Sequence, residues 1–136
     1  MKIIMFYAFN FWWKPYQQVL KDAEGEPQTR EVKEAVVVFY QVEAEDPDRE
    51  KKVLEKLVKN IKWLARKFDT KRVVLHSFNH LSSSKADPEE ARSLIEKARQ
   101  KLAQGGFELH ETPYGWLNEW KIHVAGESLA KVFKEL

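Results

Sequence analysis

The strongest constraint on the fold is the segment EAVVVFYQVE at residues 34–43, which contains a continuous run of valines followed by two aromatic residues. Valine and aromatic residues favour strands, and an apolar run without polar alternation is typical of a strand that is buried on both faces. Two shorter runs, KIIMFY at 2–7 and RVVL at 72–75, have a similar character. The sequence therefore predicts at least three strands, with the 34–43 strand at the centre of a sheet.

Two long amphipathic helices separate these strands from the rest of the chain. The first is predicted to begin at Asp46-Pro47 and to reach about Phe68, because its apolar residues recur at helical spacing. The second has Asp87 in the capping position before a proline, and Gly105-Gly106 ends it. Each helix has one apolar face, so both are expected to cover a sheet.

The remaining segments complete the predicted order β-β-α-β-α-β-β-α. Strands are expected at 107–110 and 119–124, and loops at 10–16 and 21–31. A short amphipathic helix is expected to close the chain, and its apolar residues are Leu129, Val132, Phe133 and Leu136. We therefore predict a single α/β domain over residues 1–136, in which two long helices and a short C-terminal helix cover a mixed sheet of about five strands.

The composition excludes several classes of protein. The net charge is only +2, so nucleic-acid binding would need a local basic surface. No apolar run approaches the roughly 20 residues that span a bilayer. The apolar start of the chain has no small-residue cleavage site and is more typical of a buried strand than of a signal peptide. The absence of cysteine excludes disulfides and suits a reducing cytoplasm, so we expect a cytoplasmic protein without a membrane partner.

A polar loop, HSFNHLSSSKADP, occupies residues 76–88 directly after a predicted strand. Ligands in such folds bind in loops beyond the carboxyl ends of strands. A zinc site is disfavoured, because no carboxylate accompanies His76 and His80 before Asp87. The serines are more typical of turn and cap residues than of a nucleophile. We expect a polar pocket wall at 76–84 without metal or cofactor, and His80 is the candidate for a polar contact or proton relay.

The first predicted helix has a basic face opposite its apolar face. A solvated surface is one interpretation of this face, and a surface that binds RNA or another subunit is the other. The tryptophan at its centre favours a partner, because exposed aromatic side chains often serve as stacking platforms. The face comprises Lys52, Lys56, Lys59, Trp63, Arg66 and Lys67.

Three segments together resemble the N-terminal editing domain of archaeal-type threonyl-tRNA synthetases. They are SFNHLSS at 77–83, GGFELHETPYGW at 105–116 and KIHVAGESLA at 121–130, and the resemblance covers nearly the whole chain. It implies a fold related to D-aminoacyl-tRNA deacylases and a homodimer. It also implies hydrolysis of the ester that joins a wrongly attached serine to threonine tRNA.

Several family positions carry other residues in this chain. The lysine that follows the family's proline-aromatic-glycine turn is Asn118, and the aromatic residue before that lysine is Leu117. The glutamate after the last strand is Lys131, and the turn after the first strand reads Tyr7-Ala8-Phe9-Asn10. The resemblance therefore implies a site that retains the family's loop and turn segments, while several of its functional side chains differ.

The expected site combines the matched positions with their neighbours. His80 and Asn118 are the expected catalytic residues, and main-chain amides near Ser82 and near 113–115 are expected to stabilise an oxyanion. The expected RNA contacts are Lys56, Lys59, Trp63 and Lys67. Substrate binding is expected from Phe78, Asn79, Ser82, Ser83, Pro113, Tyr114, Gly115 and Trp116.

Three functions remain open from the sequence. The first is a freestanding editing protein that hydrolyses mischarged aminoacyl-tRNA in trans, with Ser-tRNA(Thr) as the expected substrate and a separate threonyl-tRNA synthetase as a possible partner. The second is a module that binds tRNA, a nucleotide or a synthetase without turnover. The third is a deacylase for another amino acid, with its pocket reshaped by Trp12, Trp13 and Trp116.

Overall fold

The computed structural model describes residues 1–23 and 27–136, so the middle of the predicted 21–31 loop lies outside the described residues. Two helices and a mixed sheet make up the described part of the chain. The helices are α1 (Glu50–Lys67) and α2 (Pro88–Gln104). The strands are β1 (Lys2–Gln18), β2 (Arg30–Gln41), β3 (Arg72–Ser77), β4 (Glu108–Glu111), β5 (Trp116–Val124) and β6 (Lys131–Glu135).

The sheet has the order β4-β3-β2-β1-β5, and β6 pairs with the first half of β1. Strands β2, β3 and β4 run parallel, whereas β1 is antiparallel to β2, β5 and β6. Parallel neighbours need a long crossover, and α1 and α2 provide the two crossovers. The carboxyl ends of β2, β3 and β4 therefore meet at one edge of the sheet, next to the start of α2.

Strand β2 is buried on both faces, which confirms the prediction for residues 34–43. Val36 and Val38 belong to the core beneath the two helices. Val37 and Phe39 belong to a second core on the opposite face of the sheet, together with Trp13 of β1. The apolar run thus contributes to two cores at once.

Strand β1 corrects the expected loop at 10–16. It continues to Gln18, because its second half pairs with β2 as far as Trp13 and with β5 as far as Gln18. Pro15 is tolerated beside a register shift between Pro15 and Gln17, where the ladder is irregular. Trp12 and Trp13 therefore lie in a strand, and Trp13 is buried.

The expected C-terminal helix is also wrong. A single 3₁₀ turn at Ser128–Ala130 leads into β6, which pairs with Lys2–Phe6 of β1. The first half of β1 would otherwise leave its hydrogen-bonding groups unpaired on the side opposite β2. The hydrogen bonds between β6 and β1 outweigh the preference for a helix that the spacing of the apolar residues indicates. Phe133 is exposed in this strand.

The start of α1 differs from the predicted start for an identifiable reason. A 3₁₀ turn occupies Asp46–Arg49, and the α-helix begins at Glu50. The buried carboxylate of Asp46 accepts a hydrogen bond from the Met1 ammonium at 2.7 Å and one from the Glu43 main chain at 2.6 Å. At α2, Asp87 occupies the capping position but makes no side-chain cap. Neither helix is long and apolar enough to cross a membrane, as far as the chain is described.

Candidate functional site

A pocket of about 450 Å³ opens beyond the carboxyl ends of β2, β3 and β4 and beside the first turn of α2. This is the sheet edge at which the sequence predicts a ligand. His80 and Asn118 both line the pocket. The other predicted site residues that line it are Phe78, Asn79, Pro113, Tyr114, Gly115 and Trp116, whereas Ser82 and Ser83 are not among its walls.

The serine segment, Leu81–Ser84, is bonded to the end of β2 instead. The buried Gln41 accepts hydrogen bonds from the main-chain N–H groups of Leu81 and Ser82, both at 2.8 Å. Its Nε2 donates to the carbonyls of Ser82 at 2.8 Å and Ser84 at 3.0 Å. The amide of Ser82 is therefore occupied, which argues against the oxyanion role expected for it.

The Ser82 side chain belongs to a charged cluster beneath this segment. Its Oγ donates to Glu43 at 2.6 Å, and the Lys2 ammonium donates to the same carboxylate at 2.7 Å. Burial opposes ionisation of Glu43, but hydrogen bonds from Lys2, Ser82 and the Met1 ammonium outweigh it and lower the pKa of Glu43 to about 2. The hydrogen bonds from the serine segment to Gln41 and to Glu43 thus stabilise the fold. Ser83, by contrast, is exposed.

The inner segment, Phe78–His80, has the opposite character. Within the described ranges, nothing accepts a hydrogen bond from the main-chain N–H of Asn79 or His80, although both residues line the pocket. The His80 side chain is exposed, and its ring lies edge-on to Phe78 with centroids 5.0 Å apart. Two residues that line the pocket therefore keep unpaired main-chain N–H groups, and such groups can act as donors to an oxyanion.

His76 also lines the pocket, and sequence reasoning included it in the expected pocket wall at 76–84 without giving it a role of its own. It is buried among aromatic rings, with the Phe39 centroid at 4.6 Å, and its Nδ1 lies 2.9 Å from Thr112 Oγ1. Burial lowers the pKa of His76 to about 4, so the ring is neutral near pH 7. The sequence did contain a signal for this burial. His76 lies two residues after Val74, so alternation along the strand places both side chains on the face of the sheet that is opposite the helices.

The turn at 113–115 forms the opposite wall. Gly115 has φ of +85°, and a Cβ there would lie 2.9 Å from the Cβ of Ala23. Its carbonyl accepts hydrogen bonds from the amides of Val19 and Leu20, at 2.8 and 3.1 Å. Glycine is required here because the turn is pressed against the end of β1 in a left-handed conformation.

Tyr114 extends this wall toward α2. Its hydroxyl donates to the Pro88 carbonyl at 3.3 Å, and the Arg92 guanidinium lies over its ring at 5.3 Å. Burial raises the pKa of Tyr114 above its ordinary value. The main-chain N–H groups of Tyr114 and Gly115, like those of the inner segment, have no acceptor in the parts of the chain that are described.

Strand β5 supplies the third wall. Asn118 donates from Nδ2 to the Trp116 carbonyl at 3.1 Å, while its buried Oδ1 has no partner among the described residues. Leu117 also lines the pocket and is exposed. Lys131 does not line it, because its ammonium donates to the carbonyls of Ala125 and Glu127 in the β5–β6 connection. Trp12 and Trp13 are likewise outside the pocket walls, whereas Trp116 and Trp120 belong to them.

The pocket is neutral apart from its rim. Among the residues that the structure describes, its lining includes no aspartate or glutamate, and the exposed Lys85 is the one lysine. In the described ranges, no group of three or more His, Cys, Asp or Glu residues is arranged to hold a metal ion. The walls therefore offer hydrogen-bonding groups and aromatic surface to a ligand.

The basic face of α1 lies outside this pocket. All six of its predicted residues are exposed, including Trp63, of which 44% is accessible. Within the described residues, the ion pairs of the two helices involve other side chains, namely Glu50 with Lys97, Glu96 with Arg99, and Glu111 with Arg92 and Arg99. The face is thus present as the sequence predicts, while its role in RNA binding stays a prediction.

Curated relatives of the chain are threonine–tRNA ligases. The enzyme of Hyperthermus butylicus is 30% identical over 138 residues, which covers 97% of this chain and 22% of that protein. The enzyme of Nanoarchaeum equitans is 35% identical over 124 residues, or 88% of this chain and 19% of that protein. The enzyme of Thermococcus kodakarensis is 28% identical over 139 residues. The chain thus spans about a fifth of the length of these relatives.

A solved structure shares the fold. The c-Myc DNA Unwinding Element Binding Protein superposes with a TM-score of 0.71 and 11% sequence identity, covering 100% of this chain and 99% of that chain. The comparison confirms the expected α/β, D-aminoacyl-tRNA deacylase-like fold class. A family model, the Archaea-specific editing domain of threonyl-tRNA synthetase, matches residues 1–136. The chain therefore belongs to the family of archaeal threonyl-tRNA synthetase editing domains.

Proposed function

We propose that the pocket hydrolyses the ester between an amino acid and the terminal adenosine of a mischarged tRNA, and that Ser-tRNA(Thr) is the first substrate to test. The observation that carries this proposal is the inner segment, where Asn79 and His80 line the pocket and their main-chain N–H groups have no acceptor among the described residues. Ester hydrolysis by water needs donors for a developing oxyanion and a group that handles a proton. The inner segment offers both.

In the proposed reaction, water adds to the ester carbonyl and the amides of Asn79 and His80 stabilise the resulting oxyanion. His80 contacts the attacking water or the ribose oxygen and carries the proton between them. The acyl carbon–oxygen bond then breaks, which releases the free amino acid and a ribose hydroxyl. Asn118 can orient the substrate, but its neutral amide cannot supply the positive charge of the family's lysine.

A second candidate is binding of tRNA, a nucleotide or a synthetase without turnover. Two observations favour it, namely the neutral amide of Asn118 in the pocket and the engagement of Lys131 by the β5–β6 connection. A deacylase for another amino acid remains a third candidate. Of the three tryptophans expected to reshape the pocket, Trp116 is the one that lines it.

Hydrolysis of a panel of esters separates these candidates. Seryl- and threonyl-tRNA(Thr), together with D-aminoacyl-tRNA controls, would be incubated with the purified chain, with and without a chelator. The proposal predicts selective loss of the seryl ester, unaffected by the chelator. Binding of tRNA without loss of any ester would reject hydrolysis and support the second candidate, whereas loss of a different ester would support the third.

The basic face of α1 is our candidate surface for the body of the tRNA. Its lysines can contact phosphates, and the exposed Trp63 can stack on a base. Replacing Lys56, Lys59 and Trp63 with alanine should weaken tRNA binding by about tenfold and reduce its salt dependence, because about two phosphate contacts are removed.

The matched control removes two lysines and one exposed aromatic residue elsewhere. The control residues are exposed and lie on β1, β2 and β6, namely Tyr16, Lys33 and Lys134. Their triple alanine variant should bind tRNA like the wild type in a filter-binding assay over a range of salt concentrations. Equal losses in the two triple variants would mean that total charge, and not the α1 face, governs binding.

A homodimer, a cytoplasmic location and action beside a separate threonyl-tRNA synthetase also belong to this proposal. Exposed apolar side chains on β1, β5 and β6 support self-association, since they include Phe9, Leu117 and Phe133. Light scattering on the purified protein tests the dimer directly: a mass near 32 kDa supports it, and a mass near 16.1 kDa rejects it.

A further inference from the structure

A groove of about 690 Å³ lies between the second halves of α1 and α2. Both helices cover the same face of the sheet and return from one parallel strand to the next, so their carboxyl ends lie at the same end of the molecule. No described residue lines both this groove and the candidate pocket. The described residues that line the groove are Glu55, Val58, Lys59, Lys62, Arg66, Lys101, Gln104 and Gly105.

The groove has a strong excess of positive charge. Four cationic side chains, Lys59, Lys62, Arg66 and Lys101, line it together with the single carboxylate of Glu55. In the part of the chain that the structure describes, none of these four cations takes part in an ion pair. Like charges that share a groove repel one another, so an anionic partner would relieve this repulsion.

The helix dipoles account for only part of this charge. Arg66 and Lys101 lie in the last turns of α1 and α2, where a cation interacts favourably with the unpaired carbonyls of the helix end. Lys59 and Lys62 lie more than one turn before the end of α1, where this effect has faded. Two of the four cations therefore have no role in stabilising a helix end.

The side chain of Lys62 reaches from α1 to the end of α2. It is half-buried, and its Cε and Nζ lie 3.4 and 3.5 Å from the position that a Cβ would occupy at Gly105. Gly105 follows directly after α2 and leaves room for this lysine. The Lys62 ammonium is thus held between the two helices, and a side chain that is already ordered loses less entropy when it binds a ligand.

The composition of the groove favours a nucleic acid over a protein. Val58 is the one apolar side chain among its described lining residues, whereas the buried centre of a protein interface is apolar and poor in lysine. Lys59 and Arg66 are seven residues apart in sequence, or about 10 Å along the helix, so more than one phosphate can be contacted. Both also lie one helical turn from the exposed Trp63, which can stack on a base.

We propose that this groove binds the phosphate backbone of the tRNA, so that the RNA crosses both helices and not α1 alone. The proposal rests on the proposed function, since it takes tRNA as the ligand. Lys62 and Lys101 distinguish the groove from the basic face of α1, because neither residue belongs to that face. Lys59 and Arg66 belong to both, so the two surfaces are continuous.

Replacement of the two distinguishing lysines with alanine tests the groove. Lys62→Ala/Lys101→Ala should weaken the binding of unacylated tRNA by about tenfold in a filter-binding assay. The slope of log affinity against log salt should fall by about two, because two phosphate contacts are lost. Lys101→Ala alone leaves the half-buried Lys62 in place and should lower this slope by about one.

The matched control is Lys33→Ala/Lys134→Ala, which removes two exposed lysines from β2 and β6. This variant should bind tRNA like the wild type. Wild-type affinity in the groove variant would overturn the inference, and so would equal losses in the two double variants, because total charge would then govern binding. A wild type that binds polyglutamate as tightly as tRNA would assign the groove to an acidic protein instead.

Two esters separate this inference from the proposed hydrolysis. The groove variant should cleave Ser-tRNA(Thr) more slowly than the wild type at low substrate concentration, but should cleave the seryl ester of adenosine at the wild-type rate, because that ester has no phosphate backbone. Cleavage of both esters at wild-type rates would retain hydrolysis and reject the groove. A wild type that cleaves neither ester, with tRNA binding still weakened in the groove variant, would retain the groove and reject hydrolysis.

Discussion

The two halves of the loop after β3 have almost the same polarity in sequence and opposite roles in the structure. The serine segment, Leu81–Ser84, directs its amides and carbonyls to Gln41 and one hydroxyl to Glu43. The inner segment, Phe78–His80, leaves the amides of Asn79 and His80 unpaired at the pocket wall. Polar residues in a loop therefore do not identify a site until their hydrogen bonds have been counted.

The largest effect is expected from releasing the serine segment. Gln41→Ala removes four hydrogen bonds from a buried side chain and leaves main-chain groups of Leu81, Ser82 and Ser84 unpaired. We expect the free energy of unfolding to fall by about 3–4 kcal/mol in a denaturant titration. Gln104→Ala, at the exposed end of α2, is the control and should change it by less than about 0.5 kcal/mol. Equal free energies of unfolding for the Gln41→Ala and Gln104→Ala variants would contradict stabilisation of the serine segment by Gln41.

The inner segment should show the reverse behaviour. His80→Ala should lower the rate of seryl-ester hydrolysis by about 100-fold while leaving stability nearly unchanged, because the side chain is exposed. His123 is also exposed but lies outside the pocket, so His123→Ala should retain wild-type hydrolysis. Full activity in the His80 variant would remove this residue from the proposed site.

His76 lies between Phe78, whose ring centroid is 6.1 Å away, and Thr112, to which its Nδ1 is hydrogen-bonded at 2.9 Å. Its protonation should make the free energy of unfolding depend on pH. Its folded pKa of about 4 lies below the ordinary value of 6.5, so the unfolded chain binds the proton more readily. Stability should therefore fall by about 2 kcal/mol as the pH drops from 6.5 to 4.5. Glu43, whose pKa is lowered to about 2, adds its own loss chiefly below pH 4.5.

Denaturant titrations of the wild type and His76→Gln between pH 6.5 and 4.5 measure this contribution. The variant lacks the titrating ring, so its stability should decline less over the same range, whatever its absolute value. Parallel declines in the two proteins would mean that His76 is not buried in its neutral form.

The smallest effect is expected at Ser83, which the sequence places in the middle of the candidate site. It is exposed and does not line the pocket. Ser83→Ala should leave both ester hydrolysis and stability within experimental error, that is, within about 0.5 kcal/mol. A substantial loss of activity would mean that the serine segment contacts the substrate after all.

The sequence predicted the parts of the fold whose pattern is local. The two helices and the central strand β2 each follow from the spacing or the continuity of their apolar residues. The second half of β1 and the C-terminal strand β6 were missed because their structure depends on distant partners. Pairing of Trp13 with Trp120, and of Lys2 with Glu135, outweighs the local preference in each case.

The site was predicted unevenly for the same reason. His80, Asn118 and the 113–115 turn all line the pocket. His80 was predicted from the polar loop itself, whereas Asn118 and the turn were predicted from the family resemblance. The unpaired hydroxyl of Tyr40 and the burial of His76 were not anticipated, because Tyr40 was assigned to an apolar strand and His76 to the polar loop at 76–88. Their importance depends on which atoms remain unpaired, which is a property of packing.

The most direct test of the contrast between the two segments is an amide-resolved NMR titration. The ligand is a non-hydrolysable analogue in which serine is joined by an amide bond to 3′-amino-3′-deoxyadenosine, and adenosine alone is the reference. We expect saturable shifts at the amides of Asn79, His80, Tyr114 and Gly115, and small changes at Leu81 and Ser82, whose amides are already bonded to Gln41. Shifts confined to the serine segment, or absent from the pocket, would contradict the site described for this editing domain.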